Sequence, residues 1–325
     1  MVTPTRHVVG IDVGGTKCLG LTVRLDDGAD PEVVDREQVP SAAGGAAALE
    51  AIDAVVDALV ARSPGPVTGV GLGLAGFVDR DGVVRSAPNS GGLVGHDLPA
   101  RLAARLGVPV RADNDANCVA VAAVALLRPP VADLVAVTLG TGIGGAVVVE
   151  GRLVRGAQGF AGEPGHMVVD PHGPRCPCGR RGCWERYASG SGLGVLAREA
   201  ATAGLAPALV AAAGGSVDDV RGEHVADLLA AGDPGAAEVY ERWADWVALG
   251  VANLVVLLDP EVVVLGGGAT AGAGLVDRVA RRVAADPAAG AAGRRTPVVA
   301  APGGPDAGAI GAALLSRSGG AAGRA

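Results

Sequence analysis

Aromatic side chains are nearly missing. Phe, Tyr and Trp make up 2% of 325 residues, so any core must be packed from Val, Leu, Ile and Ala within a hydrophobic share of 49%. Positive charge is also short: 27 Lys and Arg face 34 Asp and Glu, a net charge of −7. No basic cluster is interleaved with aromatics, which argues against nucleic acid as a partner. Long apolar runs are lacking too. The longest, VALGVANLVVLL at 247–258, is too short to cross a bilayer and is broken by Asn253. The opening MVTPTRHVVG has no charged head, apolar stretch and small-residue cleavage site in series. A cytoplasmic protein with no membrane partner is the expectation.

Cysteine is scarce, and its count of five is odd. A reducing compartment disfavours structural disulfides. Cys18 and Cys118 sit in apolar surroundings and read as small buried residues. The other three crowd into GHMVVDPHGPRCPCGRRGCWE, residues 165–185, together with His166. Glycine is plentiful, at 53 residues, but falls at turns rather than in a low-complexity tract, so the composition is that of a foldable globular chain.

The length predicts two domains, and the pattern predicts that they are related. Strand HVVGIDV, turn GGT and strand KCLGLTVRL lead into strand PEVVDREQV and a helix in GAAALEAIDAVVDALVARS. There Leu49, Ile52, Val55, Val56 and Leu59 recur at helical spacing. A buried strand PVTGVGLGLAGFVD, a helix DLPARLAARLG, a short strand VPVRAD and a helix NDANCVAVAAVALL stopped by RPP follow. The second half starts the same way, with DLVAVTL, GTGIGG and AVVVEGRLV. Beyond the cysteine segment, helices are expected over about 190–212 and 222–257, then strand EVVVLGGG, a helix over about 272–285 and strand TPVVAA. The last helix, DAGAIGAALLS, is expected to pack back on the first domain, with the tail RSGGAAGRA (317–325) disordered. The expected architecture is therefore a duplicated α/β fold with a cleft between its domains. One domain spans 1–128 plus 303–325, the other 129–302 with a loop at about 163–185.

GTGIGG satisfies the dinucleotide fingerprint G-x-G-x-x-G at Gly140, Gly142 and Gly145, but that fingerprint must open a helix. Here a β-branched run follows, so the turn is a hairpin. Paired glycines in a hairpin can serve a tight turn, or they can let the backbone approach an anion with its N–H groups pointing at the oxygens. The matched hairpins at Gly14–Gly15 and Gly140, Gly142 and Gly144 favour the second use. Thr16 and Thr141 add hydroxyl donors, and Lys17 adds positive charge. Asp12 beside a phosphate turn suits Mg²⁺ or its waters, with an Asx-type turn cap as the competing use.

His166, Cys176, Cys178 and Cys183 offer one nitrogen and three sulfurs, a donor set suited to closed tetrahedral Zn²⁺. The spacing is not the usual zinc-finger one, so a disulfide or coincidence stays open on composition alone. Asp113, Asn114 and Asp115 fall where a strand ends and a helix begins; a helix cap is the simplest use of either aspartate, and the first helical turn is expected to keep Asp115 ionised.

An ordered series of motifs covers nearly the whole chain: DVGGTK (12–17), GLGLAGFVD (71–79), DNDAN (113–117), TLGTGIGGA (138–146), GFAGEPGHM (159–167), CPCGRRGCWE (176–185), VVLGGG (263–268) and DAGAIGAALL (306–315). In this order the series resembles the sugar kinases of the ROK family, most closely its ATP-dependent glucokinases. The resemblance implies an actin- and hexokinase-like (RNase H-like) ATPase fold that phosphorylates a hexose at its 6-hydroxyl with ATP and Mg²⁺, glucose first. It implies Asp115 as the base and Asn114, Glu163, His166 and Glu185 as sugar contacts, with Gly76 and Asn89 beside them. It implies that His166, Cys176, Cys178 and Cys183 hold a structural Zn²⁺, His166 using its second ring nitrogen for a sugar hydroxyl. Gly267 and Gly268 would let the nucleotide lie close to backbone.

The match departs from the family at several places. Family glucokinases carry PNL followed by a tryptophan where this chain has APNSGGLVGHDL (87–98), which puts the sugar in question. The Glu found late in the NDAN helix is missing, LLRPP replaces a longer basic loop, and Ala146 stands for the third glycine of the second hairpin. Fructose, mannose and N-acetylmannosamine are rival substrates, polyphosphate a rival donor, and a silent sugar-binding protein a rival function. A sugar-responsive repressor would need a DNA-binding segment ahead of DVGGTK, which starts at residue 12. Oligomeric state is left open, a homo-oligomer among the options.

Overall fold

The computed structural model describes residues 5–15, 17–41, 45–87, 91–270 and 274–316. Two turn and loop assignments, Thr16 and Asn89, lie outside the described residues, as does the tail 317–325. In chain order the first elements are β1 (Arg6–Val13), β2 (Lys17–Leu25), β3 (Glu32–Pro40), α1 (Gly45–Arg62), β4 (Val67–Leu74), β5 (Phe77–Val78), β6 (Val84–Ser86), α2 (Leu98–Leu106), β7 (Val110–Asn114) and α3 (Asp115–Leu126). There follow β8 (Leu134–Leu139), β9 (Ile143–Val149), β10 (Arg152–Leu153), α4 (Glu185–Ala188), α5 (Gly190–Thr202), α6 (Pro207–Ala212), α7 (Gly222–Ala230) and α8 (Pro234–Leu258). The chain ends with β11 (Val262–Gly266), α9 (Leu275–Ala285), β12 (Val298–Ala300) and α10 (Ala307–Leu315).

Two five-stranded sheets share one plan. Their orders are β3-β2-β1-β4-β7 and β10-β9-β8-β11-β12, so in each a hairpin and its neighbour precede two further strands. In the first sheet β1 pairs antiparallel with β2 and parallel with β4, and β4 pairs parallel with β7. In the second, β11 pairs parallel with β8 and β12. Identical order from unlike sequence is the mark of the duplication expected from the hairpins. The chain divides into two compact units, Met1–Ala132 with Ala146–Gly162 and Ala301–Ala325, and Asp133–Gly145 with Glu163–Ala300.

In the first unit the sheet is covered on both faces. Ile52, Val55, Val56 and Leu59 of α1 are fully buried in its core with Ile11, Leu72, Leu74 and Leu98, so the predicted helical stripe is the packed one. The other face takes α10, whose sequence AGAIGAALL has almost no bulk. Strand and helix approach so closely that Cβ atoms added at Gly10 and Gly71 would run into the carbonyl oxygens of Ala309 and Ala312. Gly311 meets α3 in the same way at the Cys118 carbonyl. Small residues therefore set the depth at which α10 seats, and a methyl at Gly71 would cost overpacking of about 1–3 kcal/mol or more.

The second unit has the larger apolar cluster, holding Trp184, Trp243, Val247, Val251, Val263 and Leu265. Here two expected helices are four. The 190–212 segment breaks at Gly204, whose φ is 70°, and restarts at Pro207. The 222–257 segment breaks at Gly232 (φ 83°), after which Asp233 caps Ala236 N at 2.8 Å and Pro234 takes the first helical position. Apolar periodicity runs across both breaks, but a glycine stop followed by a proline start ends a helix regardless of its stripe. Among the described residues no helix is long and apolar enough to cross a membrane.

Candidate active site and metal centre

The first hairpin is closed by its own backbone, Gly14 N donating to Lys17 O at 3.0 Å. Neither Gly14 nor Gly15 has positive φ, and a Cβ at Gly15 would meet no atom of the described residues within 4 Å. Gly140 and Gly268 share that property. At these three positions neither backbone conformation nor packing against the described residues calls for glycine. What a missing Cβ leaves there is room for something other than protein to reach the backbone. Gly267 differs, with φ 89° and a Cβ position blocked by Leu139 backbone, so its glycine serves the fold. Lys17 is the only lysine in the sequence, every other Lys or Arg position being arginine. Thr141 is exposed and Gly144 half-buried in β9.

At the C-terminal ends of β1 and β7 the first unit gathers three carboxylates. Asp12 is half-buried beside α10, its carboxylate 2.8 Å from where a Cβ of Gly308 would sit, and among the described residues no group hydrogen-bonds it. Crowding by protein atoms pushes its pKa up to about 7, helped by the charge of Asp115 and opposed by Lys17. Asp115 opens α3. Its Oδ1 accepts from Ala116 N at 2.9 Å, while Oδ2 has no hydrogen-bond partner among the described residues. Burial pushes Asp115 up to about 6, the Ala116 amide pulling the other way. The helix N-terminus favours the anion, but desolvation outweighs it, and the group is a stronger base than an ordinary carboxylate.

The cap of α3 is neither aspartate. Asn114 Oδ1 accepts from Ala116 N (2.9 Å) and Asn117 N (3.2 Å), and its Nδ2 donates to Gly76 O at 3.0 Å. Gly76 has φ 117° and no room for a side chain against Ser86 and Ala87. Asn114 and Gly76 thus come together, and both have structural work. Cys118, buried one turn into α3, feels Asp113, Asp12 and Asp115, and burial with those charges holds it as a neutral thiol.

The second unit gathers the other predicted residues around Ile143. Glu185 Oε2 accepts from Ile143 N at 2.8 Å and fills the space a Cβ at Gly142 would need. Gly165, inside the short turn Pro164–His166, lies against Ile143 O, which leaves no room for a side chain there. Glu163 stands at the head of that turn, its carbonyl accepting from His166 N at 3.2 Å. Gly190 N donates to Gly140 O at 2.8 Å, fastening α5 to the same hairpin. Glu163, His166, Glu185 and the second hairpin are therefore one local assembly.

Its brace is the cysteine loop. The ligand atoms of His166, Cys176, Cys178 and Cys183 all lie within 4.8 Å of one another, with Cys176 Sγ 3.8 Å from His166 Nδ1 and Cys178 Sγ 3.6 Å from Cys183 Sγ. All three thiols are free. Tetrahedral zinc with standard bond lengths requires S···S near ~3.8 Å and S···N near ~3.5 Å, so the donor set and its spacing fit the ion, and no fifth position is left open. Gly182, at φ 63°, passes so close to Asp170 O that no other residue fits. Gly173 is likewise hemmed in by the Tyr187 hydroxyl. Trp184, fully buried, pins the loop to α8 through Nε1 to Trp246 O at 2.7 Å and by contact with Gly250.

Two participants were not foreseen. Trp184 carried a signal in its place beside the cysteines. Arg155, which pairs with Asp113 through two nitrogens on one carboxylate oxygen, carried none, because the partners are 42 residues apart and meet only through the topology.

Twin glycine hairpins on sheets of identical order define a duplicated, actin-like ATPase fold of the hexokinase type. Comparison with known proteins narrows this class. The family model described as "ROK family" matches residues 8–318. A glucokinase of Streptomyces coelicolor is 35% identical over 264 residues, 80% of this chain and 81% of the relative. An N-acetylmannosamine kinase of Shigella flexneri is 33% identical over 312 residues, 95% and 98% of the two chains. A solved ROK family glucokinase from Streptomyces griseus, in complex with glucose and AMPPNP, superposes with a TM-score of 0.84 at 34% identity, covering 96% of this chain and 100% of that one. The chain belongs to the ROK family.

Proposed function

We propose that this protein is a sugar kinase that transfers the γ-phosphoryl group of ATP to the 6-hydroxyl of a hexose, with glucose the first acceptor. The observation that carries the reading is Asp115: a carboxylate at the first turn of α3, one oxygen tied to the Ala116 amide and the other without a hydrogen-bond partner among the described residues. Phosphoryl transfer passes through a loose transition state, so the protein's work is positioning and charge neutralisation. Asp115 Oδ2 would accept the hydroxyl's hydrogen bond, turn the oxygen toward phosphorus, and take the proton as the new O–P bond forms and the bond to ADP breaks. A pKa of about 6 suits this task at neutral pH, where the group is mostly ionised yet basic.

The backbone at Gly15, Gly140 and Gly268, with Lys17, Thr16, Thr141, Gly14, Gly142, Gly144 and Gly267, would receive the nucleotide. Mg²⁺ would neutralise the phosphates, and Asp12, a carboxylate without a hydrogen-bond partner among the described residues, is the oxygen donor suited to it or its waters. Glu163, Asn114, Asn89 and Gly76 would contact the sugar, as would the second ring nitrogen of His166 and the carboxylate of Glu185. Zn²⁺ on His166, Cys176, Cys178 and Cys183 would serve structure, supplying folding energy to a loop without a core of its own.

A second acceptor, N-acetylmannosamine, is favoured by one observation: the kinase of Shigella flexneri named for it matches 95% of this chain. The deciding experiment measures ADP release with ATP, Mg²⁺ and a panel of glucose, mannose, fructose and N-acetylmannosamine, with polyphosphate as a second donor. Glucose-dependent ADP release that Asp115→Asn abolishes is the expected result. Sugar-independent release, or full activity in the variant, rejects the reading.

A further inference from the structure

Behind Asp115 lies a charge pair to which the reaction gives no part. The Asp113 side chain is 8% exposed and carries four hydrogen-bonding contacts. Its Oδ1 accepts from Asn114 N at 2.9 Å and from Asn117 Nδ2 at 2.6 Å. Its Oδ2 takes Arg155 Nε at 2.8 Å and Nη2 at 2.7 Å. Asn114 and Asn117 are the residues on either side of Asp115 and Ala116, so the carboxylate grips the corner from both flanks.

Arg155 is itself held. Its carbonyl accepts from Ala161 N at 3.1 Å, closing a turn in the segment after β10. The next residue's carbonyl, Gly156 O, accepts from Arg80 Nη2 at 2.6 Å and Nε at 3.0 Å. The segment leads, two residues past Ala161, to Glu163. An ion pair with one member this deeply buried is weak evidence for stability, since apolar residues of similar size commonly do as well. What a guanidinium fork on a carboxylate adds is fixed direction.

We propose that Arg155 is a positioning residue: its two N–H groups, both on Asp113 Oδ2 while Oδ1 holds Asn114 N and Asn117 Nδ2, fix the β7–α3 corner that aims Asp115 and Asn114. The inference rests on the kinase reading for its catalytic consequence, but the corner itself can be probed without turnover. Misplacing a reacting group by about 1 Å can cost on the order of 100-fold in rate.

The test uses the full chain with Arg155→Met and Arg155→Lys. Arg155→Met is expected to lower kcat by about 10- to 100-fold, to raise KM for the sugar through Asn114, and to leave KM for ATP unchanged. Arg155→Lys is expected to restore the melting temperature but not kcat, because a point charge cannot supply the fork. Methylguanidinium added to Arg155→Ala should recover part of kcat. Independently of activity, hydrogen exchange at the Ala116 and Asn117 amides should quicken at least ~10-fold in Arg155→Met while α10 stays protected. Unchanged exchange at those amides overturns the proposal whatever the enzyme does. So does a variant that melts earlier but keeps wild-type kcat. Wild-type protein without sugar-dependent ADP release defeats the kinase reading alone, and the exchange result still decides the corner.

Discussion

The two glycine hairpins occupy matching places in the duplication, yet they are held in different ways. Each is closed by a hydrogen bond of its own, Gly14 N to Lys17 O and Gly140 N to Gly142 O, both at 3.0 Å, and the first carries the chain's only lysine. The second has no cation of its own and is braced from outside, by Glu185 on Ile143 N, by Gly190 on Gly140 O and by the turn at Gly165. The difference teaches how a repeated turn can specialise. One copy supplies charge. The other supplies bare backbone and takes its rigidity from a loop gathered around His166 and three cysteines.

The contrast fails most visibly if the metal is removed. Elemental analysis should find about one zinc per chain, and Cys178→Ser should lose it together with most hexose affinity, on the order of 100-fold for a ligand of such a site. Nucleotide binding at the first hairpin should change much less. A protein with no metal, or with a disulfide among these cysteines, would leave the second hairpin without its proposed brace.

Alanine substitutions sharpen the contrast at the next level. Gly142→Ala should displace the Glu185 carboxylate and cost about 1–3 kcal/mol of stability. Gly15→Ala and Gly140→Ala should leave stability within about 0.5 kcal/mol, as expected away from packed contacts, while raising KM for ATP. Equal stability losses at all three positions would mean that the chain, not a ligand, requires these glycines. Lys17→Arg tests the first hairpin alone. A guanidinium is broader and more rigid than an ammonium, so KM for ATP should rise several-fold although the charge is kept. An unchanged value would show that charge alone matters there.

A further contrast concerns stability and pH. Asp12 and Asp115 hold protons more tightly folded than unfolded, at about 7 and about 6 against an ordinary 3.8. The stability this confers is complete below about pH 4 and is lost as pH rises through 6 and 7. Asp12→Asn and Asp115→Asn should therefore each stabilise the metal-free enzyme at pH 8 by a few kcal/mol, since each tenfold change in proton affinity is worth about 1.4 kcal/mol. The gain should vanish near pH 4. Equal melting differences at both pH values would contradict the burial of these carboxylates.

Much of this was legible in the amino-acid order, for reasons that are local. β-branched runs around GGT and GTGIGG fix hairpins whatever surrounds them, and the stripe Ile52, Val55, Val56 and Leu59 fixes a helix and its buried face. His166 and the three cysteines advertise themselves by chemistry. Position 114 was harder, since either aspartate at this strand–helix corner can act as the cap, and only the fold selected Asn114. Arg155 on Asp113 and Glu185 on Ile143 were out of reach, because each joins residues 42 apart. The raised proton affinity of Asp115 was out of reach too, because the helix terminus is visible in sequence and desolvation is not.

A structure with a hexose and a non-hydrolysable ATP analogue bound would decide whether Asp115 and the two glycine turns do the work assigned to them. Asp115 Oδ2 should lie within about 2.6–3.2 Å of the terminal sugar hydroxyl, with the analogue's phosphates against the backbone of Gly15 and Gly140. A hexose whose terminal hydroxyl lies out of hydrogen-bond reach of Asp115, or phosphates that touch neither glycine turn, would contradict it.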